Sequence, residues 1–199
     1  GCVISGDAAR YGGGVCCYWS SPTVANCTIS GNSASDAGGG IHCEANSNTT
    51  VADCTITANR AGGSGGGLCA AGASTLAIAN CIVWANAASP GPQLSLADVN
   101  QPSRVLVYRS DVQAGRQAVH VEQGCLLIWG EGNIDADPLF ADPGHWDHAG
   151  TPDDLSDDVW VDGDYRLQPG SPCIDAGDNT AVPASIQCPG LAKSGSALM

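Results

Sequence analysis

Residues 24–32 read VANCTISGN. The pattern returns as VADCTITAN at 51–59 and IANCIVWAN at 78–86, and its second half stands at 1–7 as GCVISGD. Cys2, Cys27, Cys54 and Cys81 are therefore spaced by 25, 27 and 27 residues. A second marker, three glycines and an apolar residue, falls at 12–15, 38–41 and 65–68, spaced by 26 and 27. Two unrelated markers holding one period identify a repeat architecture. The unit is rich in Gly, Thr, Val and Ile, which disfavour long helices and suit short strands. Helical repeats are thereby excluded. A coil of about three short strands per turn fits, its turns stacked about 4.8 Å apart so that every backbone ladder runs on from turn to turn. The fold class is all-β, a parallel β-helix.

Side-chain parity sharpens this. Cys27 and Ile29 share a strand face, whereas Val24 has the opposite parity, yet Val51 and Ile78 repeat its apolar character. Both sets point inward only if the chain bends between them. Asn26, Asp53 and Asn80 stand at that bend, and Asn and Asp tolerate the left-handed conformation a sharp bend needs. Asn32, Asn59 and Asn86 are expected to mark a second corner in the same way, and the triple glycines a third. Three corners predict a triangular coil.

Cys2, Cys27, Cys54 and Cys81 then form one inward column, and Cys17, Cys43 and Ala70 another. Two readings stay open for them: small apolar core residues, or disulfides between stacked turns, which would need a local twist to bring the Cβ atoms close enough. Eleven cysteines leave at least one thiol unpaired within a monomer. Cys16, His42 and Cys69 fall on the outward parity. Their spacing argues against zinc, because the two cysteines lie two turns apart, roughly 9–10 Å.

Only 5% of the 199 residues are aromatic and 27 are glycine, so Val, Ile, Leu, Ala and Cys must build the core. No apolar run is long enough to span a bilayer. The net charge is −13 with seven basic residues, which excludes nucleic acid as a partner, since phosphate neutralisation needs clustered Lys and Arg. Residues 135–178 hold 12 of the 20 acids and one base, Arg166, a local charge of −11. The sequence begins inside a repeat without a leader pattern, so it is expected to be a segment of a longer protein or a processed form.

The repeat is regular to about residue 95 and degenerate to 133, for five to six coils in all. In VLVYRSDVQAG (105–115), Val107, Arg109 and Ser110 take the places of Ile78, Asn80 and Cys81; VHVEQGCLLIWGEGN (119–133) reads as a further degenerate turn. Residues 134–183 are rich in Asp, Pro and Gly and are expected to fold over the helix end as an irregular cap. Residues 184–199 are expected to be a disordered tail. The series NCIVWAN, GPQL, YRSDVQAG, GNIDADPLFADP and DYRLQPGSPCIDAGDNTAVP resembles the choice-of-anchor Q family of bacterial proteins across residues 1 to about 183. The resemblance implies a right-handed parallel β-helix of pectin-lyase-like type and secretion with attachment to the cell surface. It implies no reaction. The final stretch, ASIQCPGLAKSGSALM, departs from the family pattern, which puts the anchor in doubt.

A catalytic constellation is not visible. The outward positions of the recurring strand are Thr28, Ser30, Thr55 and Thr57; Arg10 and Arg60 sit near corners without an acid cluster in the same column; Asp7 and Asp53 have structural explanations as corner residues. There is no nucleophile elbow and no phosphate loop. The densest group of hard oxygen ligands is Asp153, Asp154, Asp157, Asp158, Asp162 and Asp164, a set that suits Ca²⁺ or a solvated acidic loop. His145, Trp146 and His148 beside it are candidates for a ligand-contact patch or for covering the helix end. The sequence therefore points to a secreted or cell-surface β-helix, probed best as a structural or adhesive monomer with polysaccharide as its candidate partner. The alternative is a polysaccharide lyase or glycoside hydrolase of the same fold.

Overall fold

The computed structural model describes residues 1–98, 100–151 and 157–177. The first coil comprises β1 (Val3–Ser5), β2 (Ala8–Tyr11), β3 (Val15–Tyr18) and β4 (Thr23–Ala25). The second comprises β5 (Thr28–Ser30), β6 (Ser33–Ala37), β7 (Ile41–Glu44) and β8 (Asn48–Ala52), and the third β9 (Thr55–Thr57), β10 (Arg60–Ala61), β11 (Leu68–Ala70) and β12 (Thr75–Ala79). In the fourth, β13 (Ile82–Trp84), β14 (Leu94–Leu96) and β15 (Arg104–Tyr108) are joined by a single bridge from Ala87 to Arg60. The last coil has β16 (Asp111–Val112), β17 (Val119–Val121) and β18 (Leu126–Trp129).

Every pairing between coils is parallel, and the register holds throughout except in β2–β6, where it shifts between Ala9 and Tyr11. The sheets run β1-β5-β9-β13-β16, β2-β6-β10, β3-β7-β11-β14-β17 and β4-β8-β12-β15-β18. Four coils and a shorter last one of three strands make about four full turns, slightly fewer than the five to six coils expected. Residues 119–133 do not make a turn of their own; they supply β17 and β18 and complete the turn that β16 begins. The inward columns are those parity predicts. Ile4, Ile29, Ile56, Val83 and Val112 stack on one face, and Val51, Ile78 and Val107 on another. Each fully buried aliphatic side chain contributes about 1.5–3 kcal/mol.

The coil has four corners rather than three. Asn26, Asp53, Asn80 and Arg109 all have left-handed φ, between 46° and 54°, as expected for the bend before the cysteine. At the second corner the left-handed residue is one position earlier than expected: Gly31, Ala58 and Ala85 carry φ of 58°, 55° and 53°. Gly12, Gly38 and Gly65 make the third. The unforeseen fourth lies between the β3 and β4 faces, where Ala45, Asn46, Gly72 and Ala73 are left-handed.

A bend interrupts the strand ladder, and the amide just after it loses its usual carbonyl partner. Buried amides must be satisfied, and here side chains from the next turn do it. Asn32 N donates to Asn59 Oδ1 and Asn59 N to Asn86 Oδ1, both at 3.0 Å. The same asparagines donate back through Nδ2: Asn59 to Ile29 O and Asn86 to Ile56 O, each at 2.9 Å. At the fourth corner, Ser47 Oγ, Ser74 Oγ and Ser103 Oγ accept from Ser20, Ser47 and Ser74 N at 3.2 Å.

The cysteine column obeys the same rule. Cys54 Sγ accepts from Cys27 N at 3.4 Å and donates to Ala52 O at 3.1 Å. Where the column reaches residue 110, a serine makes the same pair of bonds: Ser110 Oγ accepts from Cys81 N at 3.1 Å and donates to Tyr108 O at 2.8 Å. All ten cysteines among the described residues are free thiols. The repeated cysteine is thus a corner hydrogen-bonding group that is also apolar enough for the core.

After β18 the pairing becomes antiparallel. β19 (Phe140–Asp142) pairs with β22 (Asp164–Leu167), and between them β20 (His145–Asp147) pairs with β21 (Val159–Val161). This segment runs back along the flank of the helix, over the outer side of the β1 face. Phe140, Tyr165 and Leu167 pack on Ile82 and Trp84, and Phe140 meets Tyr165 edge-on at 5.5 Å. The outward hydroxyls Ser30, Thr55 and Thr57 are consequently buried. The flank is preferred because Ile82 and Trp84 offer it an apolar landing site that a row of hydroxyls alone would not.

Asp111 fastens this strap to the last coil. Its carboxylate accepts from Ala136 N at 3.1 Å and from Cys173 Sγ at 3.1 Å. Burial nevertheless pushes Asp111 up to about 6, its hydrogen bonds offsetting only part of that effect.

Three outcomes follow for stability. Asn59→Ala orphans the Asn32 amide and the Ile29 carbonyl and should cost roughly 3–5 kcal/mol in chemical denaturation; a loss below about 1 kcal/mol would show the ladder is dispensable. Cys54→Ser keeps donor and acceptor and should stay within about 1 kcal/mol of the parent, whereas Cys54→Val, which keeps neither, should lose more. The folded-state pKa of Asp111 lies above the unfolded value. Its stabilising contribution is therefore fully present below about pH 4 and lost as pH rises through about 6, by at most roughly 3 kcal/mol. Asp111→Asn should accordingly melt higher than the parent at pH 7.5 and gain no such advantage at pH 4; a midpoint difference independent of pH would contradict this.

Candidate functional site

Ala8, Ser33, Arg60 and Ala87 are successive register partners on the β2 face. Partners in a parallel ladder point to the same side, so three short side chains flank one long one. With Ala34, Ala61, Gly62 and Ala88 they floor a groove of about 730 Å³ that crosses four coils. Three strand-to-strand steps give it a length of roughly 14 Å along the helix axis.

The β20–β21 hairpin supplies the wall. Trp146 Nε1 donates to Ala58 O at 3.1 Å, which fixes the indole at the edge of the floor. The Arg60 guanidinium carbon lies 3.6 Å from the Trp146 ring centroid, and Trp160 meets Trp146 edge-on at 5.3 Å. Trp160 in turn fills a notch that exists because residue 31 is glycine: a Cβ there would stand 2.0 Å from the indole. One face of Trp146 is therefore covered by Arg60, and the groove meets the edge of a stacked cation–π pair.

Asp158 is bound to the Arg60 of that stack. It accepts from Arg60 Nη1, and its Oδ1 lies 2.9 Å from His148 Nδ1. None of its side chain is solvent-exposed, the cover being its own partners at the molecular surface rather than a deep interior. The hydrogen bond from Arg60 holds its carboxyl below the ordinary range, with a smaller effect from His148. Next along the sheet, Arg10 and Asp36 form a second pair, at 2.8 Å.

The acidic residues proposed from sequence as Ca²⁺ ligands are distributed as follows. Asp153 and Asp154 lie outside the described residues. Asp157 accepts from the Thr151 hydroxyl at 2.5 Å. Asp162 accepts from Ser5 Oγ at 2.9 Å, Ser30 Oγ at 3.4 Å and Trp160 Nε1 at 2.8 Å, tying the strap to the first two coils. Asp164 accepts from Arg166 Nε at 2.9 Å, which pulls its carboxyl down to about 2. The four described carboxylates thus face four different sets of protein groups. Among the described residues no three His, Cys, Asp or Glu side chains are gathered closely enough to hold a metal ion.

Of the histidine–tryptophan patch, Trp146 lines the groove and His148 braces Asp158. Cys16, His42 and Cys69 occupy one outward column as parity requires. His42 is buried there beneath Tyr11, with ring centroids 5.0 Å apart, and burial pushes its pKa below the ordinary imidazole value. The alanine floor carried no chemical signal in the sequence. Ala8, Ser33 and Ala87 share the column of Arg60, and the carboxylate of Asp158 reaches it from 98 residues away.

Residues 1–134 match the sequence family described as the right-handed β-helix region. No curated protein and no solved structure matches the chain. The matched stretch covers all the coils, the in-register parallel ladders are those of a solenoid, and the chain belongs to the right-handed β-helix family.

Proposed function

We propose that this protein is a secreted or cell-surface module that holds polysaccharide chains along the β2 face. The observation that supports the reading is the groove itself. It is open and elongated along the helix axis, floored by methyl and hydroxymethyl groups from four coils, and walled by the Trp146–Arg60 stack. An extended polymer can lie in such a trough and meet apolar carbon surface below and polar groups at one edge, the mixture that sugar rings offer. The wall is pre-organised, because Trp146 and Arg60 are each held by other contacts before any ligand arrives. Surface attachment and a monomeric state belong to the same proposal and draw on the resemblance to surface-anchored β-helices.

The Ser33 side chain faces the groove from the middle of the floor, one turn from Arg60. Ser33→Trp should fill the trough while leaving the inward columns untouched. In affinity electrophoresis against immobilised neutral polysaccharides, the parent should be retarded, and Ser33→Trp should lose about tenfold or more in affinity with an unchanged thermal midpoint. Equal retardation of both proteins would place binding elsewhere. Appearance of reducing or unsaturated sugar ends during the same incubations would favour a glycoside hydrolase or lyase over a binding module.

A further inference from the structure

The charges around the groove carry a statement about which polymers it accepts. The chain carries −13 overall, and −11 of it falls within 135–178, the segment whose β20–β21 hairpin supplies the groove wall. The cations at the groove are matched by carboxylates: Arg60 by Asp158 and, beside the floor, Arg10 by Asp36. A polyanion laid in the trough would approach a strongly acidic flank and find the local positive charge already neutralised. An uncharged chain meets no such penalty and still reaches the apolar floor.

Resting on the reading of the groove as a glycan site, we propose that Asp158 is a specificity-determining residue that makes the groove selective for uncharged polysaccharides and against polyuronates. Asp158 acts by occupying the face of Arg60 that a uronate carboxylate would otherwise claim as a charge-assisted, two-pronged partner. His148, 2.9 Å from the other carboxylate oxygen, holds Asp158 in that position. Specificity then comes from an intramolecular competitor for the acidic ligand, built into the hairpin 98 residues from Arg60.

The test compares binding of galactomannan, arabinoxylan and polygalacturonate to the full chain by affinity electrophoresis and calorimetry, at low and at physiological ionic strength. The parent should bind at least one neutral polymer with little salt dependence and show no measurable binding of polygalacturonate. Asp158→Asn, checked for an unchanged fold by circular dichroism, should gain polygalacturonate binding by on the order of tenfold, most strongly at low salt. Glu131→Gln removes one negative charge away from the groove, where Glu131 pairs with Arg109, and should gain none. Polygalacturonate binding by the parent as tight as that of the neutral polymers overturns the inference and leaves the groove intact as a glycan site. So does a folded Asp158→Asn that gains no more than Glu131→Gln. If the parent binds none of the three polymers, the glycan reading itself fails. A parent that binds polygalacturonate as tightly as the neutral polymers overturns the inference even if Asp158→Asn does not fold.

Discussion

The structure depends on how a stacked coil satisfies the amides at its bends. Along a strand, each N–H finds a carbonyl on the neighbouring turn. At a corner the direction of the chain changes, the ladder skips, and a donor is stranded in a low-dielectric interior where leaving it unpaired costs about 1–3 kcal/mol. At three of the four corners the chain answers with one side-chain acceptor per turn. Asparagine serves one corner, serine a second, and cysteine or serine a third. Because each acceptor belongs to the next turn, the ladders also fix the register of coil on coil, and with it the inward columns of Ile, Val and Leu.

This constraint joins the two sequence markers that at first look independent. The side chains of the asparagine ladder lie where a Cβ on the third glycine of each triplet would stand: Asn32 Nδ2 is 2.9 Å from that position at Gly14, and Asn59 Nδ2 3.1 Å at Gly40. Asparagine can turn inward only because glycine leaves it room. The period of about 27 residues is therefore the length of one circuit through a set of mutually dependent corners, and a substitution at one marker should be felt at the other.

The strap adds a second level of organisation. It converts an outward row of hydroxyls into an interior, through Asp162 near the first coils and Phe140, Tyr165 and Cys173 near the last. Its hairpin then stands beside the β2 face, so a surface of alanines becomes a groove with an aromatic and charged wall. The scaffold and the site thus come from different parts of the chain: the coils contribute a flat, chemically quiet floor, and the acidic segment contributes the groups that can discriminate among ligands.

Much of the fold was legible in the sequence, because periodicity and parity are local. Recurrence at 27 residues gave the solenoid, the alternation about Cys27 gave the inward columns and one corner, and Val107, Arg109 and Ser110 were correctly matched to Ile78, Asn80 and Cys81. Two corner details were not legible. Serine at 20, 47 and 74 keeps the period but is too common a residue to stand out, and the left-handed alanines carry no residue-type signal. The site lay further still from what sequence alone determines. A groove is defined by side chains that are small and by an edge that is near, and neither nearness nor the partner of Arg60 is encoded within any one repeat. Only the return of the strap along the helix flank brings Trp146 and Asp158 to Arg60, since that contact depends on where an apolar patch on the fourth coil receives a segment distant in the chain.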